Sequence, residues 1–188
     1  MKHFLKLGDG IDVLPLLLQL QRQPELWGSK PERQVAPGTP HSAMTDIWVR
    51  YNDDAPFRNG DISWAAFNQP HFPIWYPAYY QLPAIRPLLF FLAARNEATM
   101  IGGVLITRIP PGGVIEPHAD TGWHVEHFNT KLYVVLQGND QCVNRVEDEF
   151  VTMRTGEVWY FDNTKEHEVR NNGKEDRITL IVCLRCEP

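Results

Sequence analysis

A mainly β fold with flanking helices is what this sequence predicts, on three observations. From residue 99 onward, the runs MIGGVLITRI, KLYVVLQ, QCVNRV, EFVTM, EVWYF and RITLIVCL alternate with the turn residues PPGG, GND, EDE, RTG and NNGKED. Several short strands at this spacing suit a sandwich or barrel rather than a parallel α/β sheet. The helical patterns, in contrast, fall in the first half of the chain. The expected architecture is a jelly roll, two facing sheets. Residues 1–98 would form a helical and irregular part packing on a core built by residues 99–188, all within one domain.

The elements follow in order. Asp12 before VLPLLLQLQRQ reads as the cap of a first helix, with Pro15 tolerated in its opening turn. QPELWGSKPERQVAPGTPHS is rich in Pro and Gly and reads as a loop or extended arm. TDIWVRYN, residues 45–52, is a strand, and the aromatic, proline-rich stretch through NQPHFPIWYPAYYQLP has no clear assignment. PAIRPLLFFLAARNEA, residues 83–98, is a second helix with Pro87 near its start. There are no internal repeats and no low-complexity tract.

The totals exclude several classes. A chain of 188 residues can bury a substantial core as one domain. A formal net charge of −5 argues against a nucleic-acid sheath, which needs a basic face. No apolar run approaches the ~20 residues that cross a bilayer, and MKHFLKLGDGIDV lacks the build of a signal peptide. A cytoplasmic address, with no membrane partner, is the expectation. Three cysteines are too few for a disulfide scaffold, and the CLRC pair of Cys183 and Cys186 reads as the end of a strand.

Chemistry concentrates in VIEPHADTGWHVEH, residues 114–127, where three of the seven histidines and one aspartate follow the PPGG turn. His118 and Asp120 stand two apart, so on an extended backbone both side chains project to one face and can reach one ion. An H-x-D arises by chance too often to stand alone. His167, 49 residues downstream in NTKEHEVRNNG, is the candidate third ligand. Two imidazoles and one carboxylate on one face of an ion form the facial triad of non-haem Fe(II) oxygenases. N and O donors without a nearby thiolate argue against a structural zinc site. Arg177, ten residues beyond His167, leads into the strand ITLIVCL. Pointing inward it would need an anion, and a guanidinium suits a carboxylate in bidentate fashion. The competing reading is a salt bridge to Glu168, Glu175 or Asp176.

ITRIPPGGVIEPHAD, KLYVVLQG and TGEVWYFDNTKEHEVRNNGKEDRITLIV together resemble the aspartyl/asparaginyl β-hydroxylase family over about residues 100–184, and more loosely at HSAMTDIWVRYND. That family consists of Fe(II)- and 2-oxoglutarate-dependent dioxygenases with a double-stranded β-helix, a cupin-like jelly-roll core, and the resemblance implies the same for this chain. The resemblance implies that His118, Asp120 and His167 ligate iron and that Arg177 grips the distal carboxylate of 2-oxoglutarate. Lys131 falls where the family often has a second basic residue, supplying a point charge without the guanidinium fork. Thr107 matches a position where a small hydroxyl faces the co-substrate.

Four residues are candidate substrate contacts. Trp123 and His127, with His124, belong to the loop after the H-x-D and would wall the pocket or face solvent. Strict alternation along DIWVRY puts Trp48 and Arg50 on one face, where an inward Arg50 would anchor a substrate carboxylate. The implied activity is hydroxylation of an aliphatic C–H of an amino acid, or of an amino-acid residue in a peptide, with consumption of O2 and release of succinate and CO2. No protein acid or base is required, which agrees with the lack of a Ser-His-Asp or paired-carboxylate constellation. Two rivals stay open: a cupin-like metalloenzyme that does not use 2-oxoglutarate, and a non-catalytic jelly-roll binding module.

Overall fold

The structure, a computed structural model, describes residues 2–187. It opens with β1 (Phe4–Gly8), α1 (Leu14–Arg22) and the short α2 (Glu32–Val35), then β2 (Thr45–Tyr51). The aromatic stretch resolves into α3 (Ala55–Arg58), α4 (Trp64–Phe67), β3 (Ile74–Trp75) and α5 (Pro77–Gln81), and α6 (Ile85–Arg95) follows. The β-rich half runs as β4 (Ala98–Ile109), β5 (Val114–His118), α7 (Trp123–His127), β6 (Thr130–Gln137), β7 (Cys142–Val146), β8 (Glu149–Val151), β9 (Val158–Phe161), β10 (His167–Asn171) and β11 (Arg177–Cys186).

Two antiparallel sheets result. Among the described residues the larger has seven strands in the order β1-β9-β6-β11-β4-β2-β3, and the smaller has four, β5-β10-β7-β8. Sequence neighbours repeatedly land in different sheets, which is the jelly-roll pattern. The chain before residue 99 also supplies strands. β1 pairs with β9, and β2 pairs with β4 and β3. The α1 boundary shifts slightly from expectation. Val13 is the capping position and offers no side chain, while Asp12 Oδ1 accepts from Leu14 N at 3.2 Å.

Alternation along β11 separates the two faces of the large sheet. Leu180, Val182 and Leu184 join Leu16, Leu20, Ile85, Leu89 and Leu92 in a helix-side core. Each fully buried aliphatic side chain there contributes about 1.5–3 kcal/mol. Arg177, Thr179, Ile181 and Cys183 occupy the opposite, inter-sheet face by the same period of two. Around Ile181 that face carries Trp48, Leu105, Tyr133, Val135 and Phe161, and Val146 of the small sheet joins the same cluster. Polar groups are thus directed into the barrel interior, where water cannot satisfy them and only a built site can.

The small sheet sets one relationship on which the site depends. His118 on β5 and His167 on β10 are direct partners across the antiparallel pair.

Candidate active site

His118 and His167 bring their rings to a centroid separation of 4.3 Å. Asp120, just past the end of β5, completes the group. One ligand atom from each of the three residues lies within 4.8 Å of the others. The chemistry of each donor fits an ion. His118 Nδ1 lies 2.7 Å from the Glu116 carbonyl and His167 Nδ1 lies 2.9 Å from the Lys165 carbonyl. A carbonyl only accepts, so both protons sit on Nδ1 and both Nε2 lone pairs are free to ligate. Asp120 is oriented in the same way. Its Oδ2 accepts from Lys131 Nζ at 2.6 Å and Asn163 Nδ2 at 2.8 Å, which leaves Oδ1 facing His118 Nε2 at 3.5 Å.

The electrostatics favour the charge states that ligation needs. Burial alone would raise the Asp120 carboxyl, but the Lys131 ammonium and the neighbouring His118 and His167 hold it well below the usual carboxylate range. Burial, followed by the Lys131 charge, pushes the His167 imidazole down to about 4, so it is neutral at pH 7. Lys131 is raised: burial opposes its charge most, but Asp120, Tyr133 and Cys183 together outweigh burial. Lys131 is therefore the ion-pair partner of the Asp120 carboxylate.

Arg177 is 2% exposed. Its Nη2 donates to Asn144 Oδ1 at 3.0 Å and its guanidinium lies 5.2 Å from the Tyr133 ring centroid. None of the carboxylates considered from the sequence pairs with it. Glu168 takes Arg145 and Arg170, and Asp176 faces Arg108. Two residues along β11, the buried Thr179 hydroxyl has no partner among the described residues. Thr107, its cross-strand neighbour on β4, is also buried and donates to Asp46 Oδ1 at 2.8 Å.

Beside His118 and Asp120 opens a cavity of about 530 Å³. One wall is Arg33, Ala36, Pro37, Thr39, Pro40 and His41, from the segment expected to be a loop or arm. The opposite wall is Thr121 to Val125, and Tyr51, Trp64, Asn68 and Gln69 close the side. His118, Asp120, Lys131 and Cys183 line it as well. Cys183, set aside as a strand end, is therefore a cavity residue, and burial pushes its thiol up to about 11.

Three expected substrate contacts need correction. Arg50 does not line the cavity. The pairing of β2 with β4 shifts by one residue between Trp48 and Arg50, so alternation inverts there. Arg50 instead turns to the helix side, lying 4.3 Å from the Trp75 ring centroid and donating to the Ile101 carbonyl. Tyr51 takes the inner face in its place, 5.3 Å from the Trp48 ring. Trp48 is not a cavity residue either; it is buried among Tyr51, Phe67 and Tyr76. His127 points away, stacked on Trp123 at 4.6 Å and beside Arg185. Trp123 does line the cavity, and the histidine that accompanies it is His124.

The short helix α7 is seated by the glycine pair of β4. A Cβ on Gly102 would lie 2.5 Å from the Phe128 ring, and one on Gly103 would lie 3.0 Å from His124 Nε2. Only glycine lets both rings approach the strand this closely.

Comparison with known proteins agrees with this geometry. A family model described as aspartyl/asparaginyl β-hydroxylase matches residues 41–185. The L-proline cis-4-hydroxylase of Rhizobium meliloti is 34% identical over 77 residues, which are 41% of this chain and 27% of that protein. The chain thus matches only about a quarter of that relative's length. Among solved structures, a prolyl hydroxylase from Trichoplax adhaerens, bound to a hypoxia inducible factor peptide fragment, superposes with a TM-score of 0.63. It covers 97% of this chain and 83% of its own at 12% identity. A 2OG-Fe(II) oxygenase family oxidoreductase from Burkholderia pseudomallei has a TM-score of 0.55, 13% identity, and coverage of 76% and 67%. At such identities these two establish the fold.

Proposed function

This chain belongs to the aspartyl/asparaginyl β-hydroxylase family, and from that premise we propose that it is an Fe(II)- and 2-oxoglutarate-dependent dioxygenase. It hydroxylates an aliphatic C–H of an amino acid, or of an amino-acid residue in a peptide, with release of succinate and CO2. The convergence of two imidazole Nε2 atoms and one carboxylate oxygen, each the free atom of an otherwise tethered side chain, carries this reading. Residues 1–188 act as one dioxygenase domain.

His118, Asp120 and His167 would hold the iron. When bound, the iron and 2-oxoglutarate supply the activation of O2 through oxidative decarboxylation. The chain's own residues do the rest. Lys131 and Asn163 fix the Asp120 carboxylate, keep its proton off and present Oδ1 inward. Arg177 and Thr179 receive the distal carboxylate of 2-oxoglutarate. Among the described residues, a buried guanidinium without a carboxylate and a buried hydroxyl without a partner are two groups such an anion would satisfy. Thr107 borders that space with its proton committed to Asp46. Tyr133 and Ile181, both buried, add apolar surface on the same inter-sheet face. Trp123 and His124 wall the substrate space, and both of its rims can take a small molecule or a peptide side chain.

Among the described residues no helix is long and apolar enough to cross a membrane. The cytoplasm, where the three free cysteines would stay reduced, is the compartment this reading adopts.

The test is an anaerobic titration with Fe(II) and 2-oxoglutarate, following the visible charge-transfer band of the chelate. The band is expected in the wild type, absent in His118→Ala, and shifted to much higher 2-oxoglutarate in Arg177→Ala. Metal bound without any band would overturn the reading in favour of a metalloenzyme that does not use 2-oxoglutarate.

A further inference from the structure

We infer that Arg33, seconded by His41, is the anchor for an anionic group of the primary substrate, and that this group is a carboxylate. The inference rests on the dioxygenase reading of the cavity and adds the residue that selects what enters it.

Three cations stand near the centre, and two have roles of their own. Lys131 is bonded to Asp120 at 2.6 Å, and Arg177 lies deeper, against Asn144 and Tyr133. Arg33 is the guanidinium that lines the cavity itself. Its Nη1 donates to Asp46 Oδ2 at 2.7 Å and its Nη2 meets His41 Nε2 at 3.1 Å. Asp46 is itself held by Thr107, so the carboxylate, the guanidinium and the strand form a rigid mount. A guanidinium has five N–H donors, and those two contacts leave the others for a ligand.

His41 adds a donor whose position follows from its neighbour. Arg33 cannot accept a hydrogen bond, so His41 Nε2 must be the acceptor and the His41 proton sits on Nδ1. That Nδ1 is buried with no partner among the described residues. The ring lies edge-on to His118, 4.9 Å between centroids, so the unused N–H belongs to the immediate surroundings of the ligand set. A buried donor without an acceptor is unfavourable unless something arrives to accept from it. A carboxylate is planar, takes the fork of an arginine and still has lone pairs for a second donor.

Arg33 also lies upstream of residues 41–185, the part that matches the family. Arg33 is therefore carried by a segment outside the matched core, with His41 at that core's first position, which suits a residue that sets substrate choice rather than the shared chemistry.

The experiment uses the full chain and pairs of free L-amino acids with their methyl esters, titrated anaerobically after addition of Fe(II) and 2-oxoglutarate. Binding is read by fluorescence of the wall tryptophans Trp64 and Trp123, whether or not the chelate band forms. Failure of the dioxygenase reading shows in the band, and failure of this one shows in the pairs. In the wild type, the best acid is expected to bind about 10–100-fold more tightly than its ester, the worth of a charge-assisted hydrogen bond. In Arg33→Gln that ratio should collapse toward one, through loss of acid binding with the ester little changed. Arg33→Lys, which keeps the charge and can keep the Asp46 pair, should retain part of it. Equal weakening of acid and ester in Arg33→Gln would reduce Arg33 to a brace for the arm and overturn the inference. So would esters that bind as well as acids in the wild type, or a panel in which no carboxylate binds.

Discussion

Lys131 Nζ donates to Asp120 Oδ2 at 2.6 Å, and in doing so it decides which Asp120 oxygen is left for an ion. Asn163 reinforces the choice from the side chain at 2.8 Å, and its carbonyl accepts from the Asp120 backbone N–H at 2.9 Å. A carboxylate held at one oxygen is a directed ligand.

Replacing Lys131 by Met should therefore weaken Fe(II) or Co(II) binding by about 10–100-fold, the usual effect of losing such a partner. The loss should grow as pH falls, because without the ammonium only His118 and His167 oppose the upward push of burial on Asp120. Metal titrations at pH 6 and pH 8 decide the matter. Unchanged affinity at both would mean that Asn163 alone orients the ligand.

Thr179→Val separates stability from function. The hydroxyl is buried and unpartnered, so replacing it by a methyl of similar volume should raise the stability of the ligand-free protein, by up to about 1–3 kcal/mol. The same change should weaken 2-oxoglutarate binding about 10-fold, since one hydrogen bond to the carboxylate is lost. Thermal melts with and without 2-oxoglutarate read both effects. Loss of stability in the ligand-free protein would show that Thr179 has a partner already.

The metal-free protein should lose stability on mild acidification. Unfolded imidazoles take up protons near pH 6.5. In the fold, burial, with His71 and Lys131 behind it, pushes His124 down to about 3. Burial, with Lys131 behind it, brings His167 down to about 4. Below about pH 6.5 the unfolded chain therefore binds protons that the native one refuses, and stability declines as pH drops toward those lower values. His124→Phe keeps the aromatic contacts with Tyr51 and Phe128 and should flatten the decline by up to about 1.4 kcal/mol per pH unit. Urea midpoints from pH 7.5 to pH 4.5, in chelator, give the slope. Parallel slopes for the two proteins would show that His124 titrates normally.

Gly102→Ala should unseat α7. The new methyl would lie 2.5 Å from the Phe128 ring, so the ring must move or the strand must bend. Overpacking of this kind costs about 1–3 kcal/mol. The loop carrying Trp123 and His124 would shift with Phe128, so ligand affinity should fall beyond what stability alone explains. Gly103→Ala, which meets the edges of His124 and Tyr51 at 3.0 and 3.1 Å, should be milder. Equal effects of the two changes on binding would count against this seating role.

The β-rich half was legible because period-two alternation and turn residues are local signals. Arg177, Thr179 and Ile181 share a face by that rule alone, and the unpartnered Thr179 could have been inferred from the inward Arg177. Asn163 had no such signal, since its contact with Asp120 joins two loops distant in sequence. Arg50 was misplaced because a bulge obeys no composition rule. One residue of slip sent it to the helices and brought Tyr51 inward. Arg33 and His41 were hidden for a different reason. Their segment is rich in Pro and Gly, and nothing local reveals that it folds back over the H-x-D stretch, with Glu116 N donating to the Pro40 carbonyl.

The register that sets His118 opposite His167 has a mechanical consequence. β5 is an edge strand whose neighbour in the small sheet is β10. An ion gripped by both rings would rivet that edge in place, tying two points 49 residues apart along the chain. Closing such a loop removes freedom mainly from the unfolded chain, and the ion's binding energy adds to the fold directly. Chelation should then be felt first as fraying of residues 114–118, visible as faster amide exchange there than in the seven-stranded sheet. The melting temperature would serve as a gauge of iron occupancy, readable before any substrate is known.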